Sequence, residues 1–475
     1  MIGHWIDGRE VPSVDGRSFA SIDPATEAPI ADVARGGEVE IDRACRAAQA
    51  ALQGPWGRLA PVERGALLFR LAELILAARD ELAALESQDV GKPLREARGD
   101  IDGVVATLRY NAGAADKIEG TTIPLGPAVV DMTLLEPLGV TAHIVPWNYP
   151  LGMAMRSLAP ALAAGCTAVI KPAEQTPLSA LRLGALCALA GIPPGVVNVV
   201  AGTGEEAGAA LVRHPLVRGI TFTGSVETGR KVAAAAGHGI KPVVLELGGK
   251  NPLLVFPDAD LDRLVDDLAD AAFGNSGQVC SACSRLLVHE SIADPLVERI
   301  AARAQRITIG PPADDPDLGP LVSAEQHAKV VGHIEAARRA GARLVCGGGG
   351  RPPGLERGFY VEPTLFDRVD PALPIAREEV FGPVLAVTRF GDEAEALALA
   401  NGLDYGLCAG VYTADIGRAL RLARALEAGS VWINGWFLGG QQAPTGGIKA
   451  SGIGKERGLL GVRNYLHPKN IAIRL

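Results

Sequence analysis

The chain has 475 residues, too many for one hydrophobic core, so two or three domains are expected. It is 48% hydrophobic and 21% charged with a net charge of −8, which gives no reason to expect nucleic acid or an anionic membrane as a partner. The start, MIGHWIDGREVPSVDG, lacks a basic region followed by an apolar core, and the longest apolar run, LAPALAAGCTAVI before Lys171, contains proline and is shorter than a membrane span; a cytoplasmic protein is expected.

Along the chain, residues 38–53 and 62–88 place apolar side chains at helical spacing, and a third helical stretch runs through REARGDIDGVVATLRYNAGAADKI. From about 121 the stretch TTIPLGPAVVDMTLLEPLGV, rich in prolines and β-branched residues, reads as extended arms. Short apolar strands then recur at VTAHIV, TAVI, VVNVV, GITF and PVVLEL. Helical segments at about 151–164, 178–190, 205–213 and 225–236 lie between them. That alternation predicts a parallel, doubly wound sheet. After ELGGKNP the alternation restarts, with strands at LLVF, RLLVHE, ARLVC, VLAVTRF, AGVYT and SVWIN, so Gly248–Gly249 reads as a hinge between two α/β lobes. The tail NYLHPKNIAIRL is an orphan strand that needs the 121–137 arms, or another subunit, as its partner.

Ligands of open α/β sheets bind beyond the carboxyl ends of the strands, so the residues following each strand outline the site. They are PWNYP, KPAE, AGTGEEAG, TGSVETG and ELGG, which bring Asn148, Lys171, Glu174 and Glu246 to one edge. Two segments compete for a dinucleotide. GTGEEAG, with Gly204 and Gly208, carries two carboxylates where a pyrophosphate would sit; TGSVETG, with Thr223, Gly224 and Ser225, opens a helix with a hydroxyl and free amides. The pair Lys171 and Glu174 suits the hydroxyls of a ribose, or is a surface salt bridge. Glu246, preceded by apolar residues and followed by a double glycine, is a candidate general base with a raised pKa, or a structural buried acid. Asn148, held between Pro146 and Pro150, is aimed at a developing oxyanion or is ordinary turn chemistry.

The seven cysteines include one C-x-x-C, Cys280 and Cys283; the other five are scattered in apolar surroundings, as in a reducing compartment. A zinc site would need a second ligand pair, and His327 and His333 fall on one helix far beyond finger spacing, so no metal is expected.

Taken together, WIDGREVPSVDGRSFASIDPATEAPIADVA, PWNYP, KPAEQTPLSAL, FTGSVETG, LELGGKNP, GNSGQVCSACSR, REEVFGPV and PTGGIKASGIGKERG resemble the aldehyde dehydrogenase superfamily over nearly the whole chain. The resemblance implies two doubly wound Rossmann-like α/β domains and a β-arm that joins subunits. Residues 1–118 and 138–248 would bind cofactor, 249–448 would form the catalytic domain, and 119–137 with 465–475 the oligomerisation arm of a homodimer or homotetramer. Cys280 matches the nucleophile, Cys283 is a neighbour, Asn148 and the Cys280 amide form the oxyanion hole, and Glu246 is the base that activates water. NAD is implied as cofactor, with NADP open as a second acceptor. Pro146, Trp147, Lys171, Glu174, Gly204, Gly208, Thr223, Gly224, Ser225, Leu247, Glu379 and Phe381 would hold it. The substrate tunnel would be lined near Tyr149, Gly152, Met153, Arg156, Val279 and Ser281, and by the GWFLGGQQ loop with Trp436 and Phe437. An unpaired Arg156 there would favour a carboxylate on the substrate, unless an acid of its own chain claims it. The implied reaction oxidises an aldehyde to its carboxylic acid through a thiohemiacetal and a thioester on Cys280, released by water. The alternatives are a coenzyme A-acylating relative, against which Glu246 argues, and a catalytically silent structural relative.

Overall fold

The computed structural model describes all 475 residues. Its first sheet has eight strands in the order Arg9–Val11, His4–Ile6, Val197–Val199, Thr167–Lys171, Val140–Ile144, Val217–Thr223, Val243–Glu246, Gly452–Ile453. The five central strands are parallel, and chain order reverses between Val140–Ile144 and Val217–Thr223. At such a reversal the connecting segments leave in opposite directions and open a crevice. The segments that border it are PWNYP and GSVETG, on neighbouring strands.

A second sheet of seven strands runs Arg343–Cys346, Thr364–Asp367, Val384–Phe390, Cys283–His289, Asn251–Val255, Cys408–Tyr412, Ser430–Ile433. Only its first pair is antiparallel. Strands in both sheets are buried over most of their length, which is why their sequences are nearly continuous apolar runs.

The expected single helix over 62–88 is two helices, Pro61–Ala77 and Arg79–Val90, broken at Ala78. No breaker residue stands there; the second helix turns to bury Leu82, Ala83, Glu86 and Asp89. The segment expected as a helix over 205–213 forms a wider turn over Gly204–Gly208 before a short helix, Ala209–Arg213.

The terminal strand Leu466–Arg474 finds its partner within the chain. It pairs antiparallel with Val129–Pro137, from Leu466 opposite Pro137 to Arg474 opposite Val129. Before reaching it, the chain returns to the first sheet, where Gly452–Ile453 pairs with Leu245 and Glu246. This return places Lys455, Glu456 and Arg457 beside Glu246. Gly248 and Gly249 have ordinary negative φ; a side chain at Gly248 would collide with the Glu379 carboxylate, so close approach demands the glycine. No helix is long and apolar enough to cross a membrane.

Candidate active site

Pro150 opens the helix Pro150–Ala164 at its first position, and the residue before the turn, Asn148, is 5% exposed. Its Nδ2 donates to the Gln278 carbonyl at 2.9 Å. An amide nitrogen carries two hydrogens, so a second donor remains. The Asn148 carbonyl is held by Lys92 Nζ at 2.9 Å and Asn275 Nδ2 at 3.1 Å. Lys92 is fully buried, pairs with Asp100 at 2.6 Å and lies 4.0 Å over the Tyr149 ring. Around it, Glu86 accepts from the Leu151 amide and Ser179, and Glu96 accepts from the Asn275 amide. Burial pushes Glu96 up to about 7. No local motif marks this anchor of one lysine among acids, because its members are scattered over residues 86–275.

Cys280 precedes the strand Cys283–His289 and is approached through three residues with positive φ: Asn275 at 48°, Ser276 at 55° and Gly277 at 72°. Two non-glycine residues in that region carry strain, and the surroundings fix them. Ser276 donates to the Gly319 carbonyl at 2.7 Å, and the buried Gln278 side chain accepts from the Val322 amide at 2.9 Å. Asn251 Nδ2 donates to the Cys280 carbonyl at 2.8 Å. The Cys280 thiol is pushed up to about 11 by burial, against the pull of Arg156. Cys283 is fully buried in the core of the second sheet, its thiol raised by the same cause.

Glu246 ends its strand 4% exposed, and its Oε1 has no hydrogen-bond partner. Its Oε2 lies 3.7 Å from the Arg156 guanidinium, whose Nε contacts Glu456, also 4% exposed. Burial raises the Glu246 carboxyl well above the ordinary carboxylate range, with Arg156 opposing and Glu456 reinforcing the rise. Arg156 therefore is not the unpaired guanidinium considered from the sequence; it is shared between two acids of its own chain.

Asn148, Glu246 and Cys280 line one cavity of about 450 Å³. Pro146, Trp147, Thr223, Gly224, Ser225, Leu247, Glu379 and Phe381 line it too. Ser225 caps the helix Val226–His238 by accepting from the Thr228 amide, and Gly229 lets that helix approach Leu247. Glu379 accepts from the Gly249 amide at 3.0 Å, and Phe381 meets Trp147 edge-on at 5.2 Å between centroids. A glycine-opened helix start beside an aromatic pair and a carboxylate fits a dinucleotide laid over the sheet edge. Lys171 and Glu174 pair at 3.0 Å at the next strand end, outside the cavity wall. Gly204 and Gly208 also lie outside it, and Glu206 between them is engaged by Arg17 and Arg35.

Tyr149, Gly152, Met153, Arg156, Val279 and Ser281 line the cavity as well. Tyr149, Val279 and Phe437 also border a neighbouring cavity of about 410 Å³. Trp436, expected in the wall, is instead 8% exposed and donates to the Ser281 carbonyl from behind. Phe437, with φ of 54°, turns the other way and forms the wall. Gly99, Asp100, Gly103, Val104 and Thr107 of the helix Leu94–Ala114, with Gly248, Gln326, Lys329, Gln441 and Arg457, complete the cavity; of these only Gln441 lies in a segment, GWFLGGQQ, expected at the tunnel.

The profile of the aldehyde dehydrogenase family matches residues 11–471. The chain is 47% identical over 473 residues to a hydroxyisobutyraldehyde dehydrogenase of Mycolicibacterium austroafricanum, covering 99% of this chain and 93% of that one. It is 45% identical to retinaldehyde dehydrogenase 3 of Homo sapiens, covering 98% and 91%. A solved NAD+ complex of aldehyde dehydrogenase from Bacillus cereus superposes with a TM-score of 0.98 at 42% identity, covering 100% of this chain and 96% of that one. The chain belongs to the aldehyde dehydrogenase family and is an NAD-dependent enzyme that oxidises an aldehyde to its carboxylic acid.

Proposed function

We propose that Cys280 is the nucleophile of this oxidation, Asn148 its oxyanion donor and Glu246 the base of the hydrolytic half. The observation that carries the reading is the convergence of all three on one cavity, with the second Asn148 hydrogen and the Glu246 Oε1 both free. The Cys280 thiol gives its proton to solvent water and the sulfur adds to the aldehyde carbon, and the carbonyl electron pair becomes an oxyanion that the free Asn148 N–H and the Cys280 amide stabilise. NAD, held by Trp147, Ser225, Glu379 and Phe381, would supply the hydride acceptor as the oxyanion re-forms C=O and the acyl group stays on Cys280 as a thioester. Glu246 removes a proton from water, whose oxygen attacks the thioester carbon, and collapse expels the Cys280 thiolate and frees the acid. The test is NADH formation from an aldehyde with and without coenzyme A. Hydrolytic turnover predicts the same rate in both; absolute dependence on coenzyme A would overturn the role of Glu246.

Glu246 acts only when ionised, and its pKa is raised, so deacylation gains rate with rising pH in a range above that of ordinary carboxylates. Arg156→Met removes the cation that opposes the rise. The deacylation limb then moves to higher pH, and each unit costs about tenfold in rate at a fixed pH below it. Single-turnover rates against pH check this, and an unmoved limb would refute the assignment.

The cofactor domain is assigned to residues 1–118 and 138–248, the catalytic domain to 249–448, and the arm to 119–137 with 465–475. Lys171 and Glu174 are assigned to the adenosine ribose. Glu174 would accept from the 2′-hydroxyl and repel a 2′-phosphate, so kcat/KM is expected to be higher with NAD than with NADP. The reverse order would overturn that assignment. The arm sheet exposes Val130, Leu134, Ile473 and Leu475, which supports its use in a homodimer or homotetramer; sedimentation of the intact chain tests it. A cytoplasmic location agrees with the free thiols.

A further inference from the structure

Two guanidinium groups line the reaction cavity, and only one is neutralised. Arg156 is taken by Glu456 and Glu246. Arg457 has no carboxylate within ion-pair distance, and its Nε is buried without a hydrogen-bond partner. Burial lowers its basicity to about 10, with Arg156 adding to the effect, so it remains a cation at neutral pH. Lys455 cannot relieve the excess, since its ammonium is bound to the Gly446 and Gly447 carbonyls.

The backbone holds this side chain in place. Arg457 has φ 59° and ψ 170°, a conformation rarely adopted by residues with a side chain. It is fixed on both sides. Glu456 exchanges two main-chain hydrogen bonds with Thr445, at 2.8 and 2.7 Å, and the Gly458 amide donates to the Gln441 carbonyl at 2.8 Å. A strained residue so clamped, with a cation facing a cavity, is arranged for something that enters the cavity. Space is available: a Cβ added at Gly99 or Gly103 would meet nothing within 4 Å.

We propose that Arg457 is a specificity-determining residue that receives a carboxylate at the far end of the aldehyde substrate, so that ω-oxo acids are the preferred class. A guanidinium binds a carboxylate through paired N–H donors. An alkyl chain in the same place leaves the half-buried cation unsatisfied, and sites built for a polar group reject substrates that lack it. The proposal rests on Cys280 being the reacting group, and it is tested by a readout independent of turnover.

Kinetics would be measured with ω-oxo acids and alkanals of equal carbon number, on the native enzyme and on Arg457→Gln and Arg457→Lys. The ratio of kcat/KM, oxo acid to alkanal, is expected to fall about 10- to 100-fold in Arg457→Gln, chiefly through KM, and less in Arg457→Lys. In parallel, alkylation of Cys280 by iodoacetamide would be followed in the native enzyme with dicarboxylates and monocarboxylates of equal length. Protection at lower concentrations by the dicarboxylates is expected. Equal protection by both would overturn the proposal even if the variants fail to fold. An equal loss on both substrates in Arg457→Gln would also overturn it, showing that Arg457 serves Glu246 instead. Failure to form NADH from any aldehyde, with preferential protection intact, would count against the Cys280 reading and leave the carboxylate site standing.

Discussion

Cys280→Ser is expected to abolish both hydride release and turnover, whereas Cys283→Ala, deep in the second core, retains most activity. Glu246→Gln separates the two halves of the reaction. It keeps the nucleophile and the oxyanion donor but loses the acceptor of the water proton, a loss that typically costs about 10²–10⁴-fold. One equivalent of NADH should form in a burst, followed by very slow turnover and an acyl group trapped on Cys280. Rapid-quench kinetics and mass spectrometry of the labelled peptide check this. A normal steady-state rate would eliminate Glu246 as the base, and an acyl label on Cys283 would reassign the nucleophile. If Glu246 also deprotonates Cys280, whose thiol is held up to about 11, the burst itself slows.

Lys92→Met is expected to damage stability and catalysis together. The variant leaves Asp100 without its partner at 2.6 Å, the Asn148 carbonyl without one of its two donors, and the Tyr149 ring without the cation above it. Breaking a buried pair by removing one partner costs about 3 kcal/mol or more, because the remaining charge is uncompensated. The urea midpoint should fall accordingly, and kcat should fall toward the value of Asn148→Ala, itself down about 10²–10³-fold through loss of an oxyanion donor. Lys92→Met with Asp100→Asn should recover part of the stability and little of the rate. An unchanged midpoint in the single variant would show that water already solvates Asp100.

The contrast between Lys92 and Cys280 shows what the sequence could yield. Cys280, Glu246 and Asn148 each stand in a local motif at a strand end, and strand–helix alternation is itself local, so both sheets and the three groups were legible. Lys92 acts through Asn148 and Asp100, and Arg457 and Glu456 reach Glu246 only because a late segment rejoins the first sheet. No periodicity marks contacts of that kind. Arg156 was visible, but its pairing with Glu456 spans most of the chain and depends on the same return. Trp436 and Phe437 were both expected at the tunnel wall. A left-handed turn at Phe437 sends the neighbours to opposite sides, which hydrophobicity alone does not disclose. The strand Leu466–Arg474 was recognised as needing a partner, and its register with Val129–Pro137 followed once the arm was extended.

The pairing of Gly452–Ile453 with Leu245 and Glu246 has a consequence for the timing of synthesis. Domains fold as the chain emerges, at about 5–20 residues per second, with the amino-terminal parts first. Cys280 and Asn148 have emerged long before the last thirty or so residues are made, but until then Glu246 lacks the edge strand beside it and Arg156 lacks Glu456. The half of the site that forms a covalent adduct is thus translated ahead of the half that governs the releasing group. A thiohemiacetal formed early simply reverses, but a thioester formed on an unfinished chain waits for the last segment before water releases the acid.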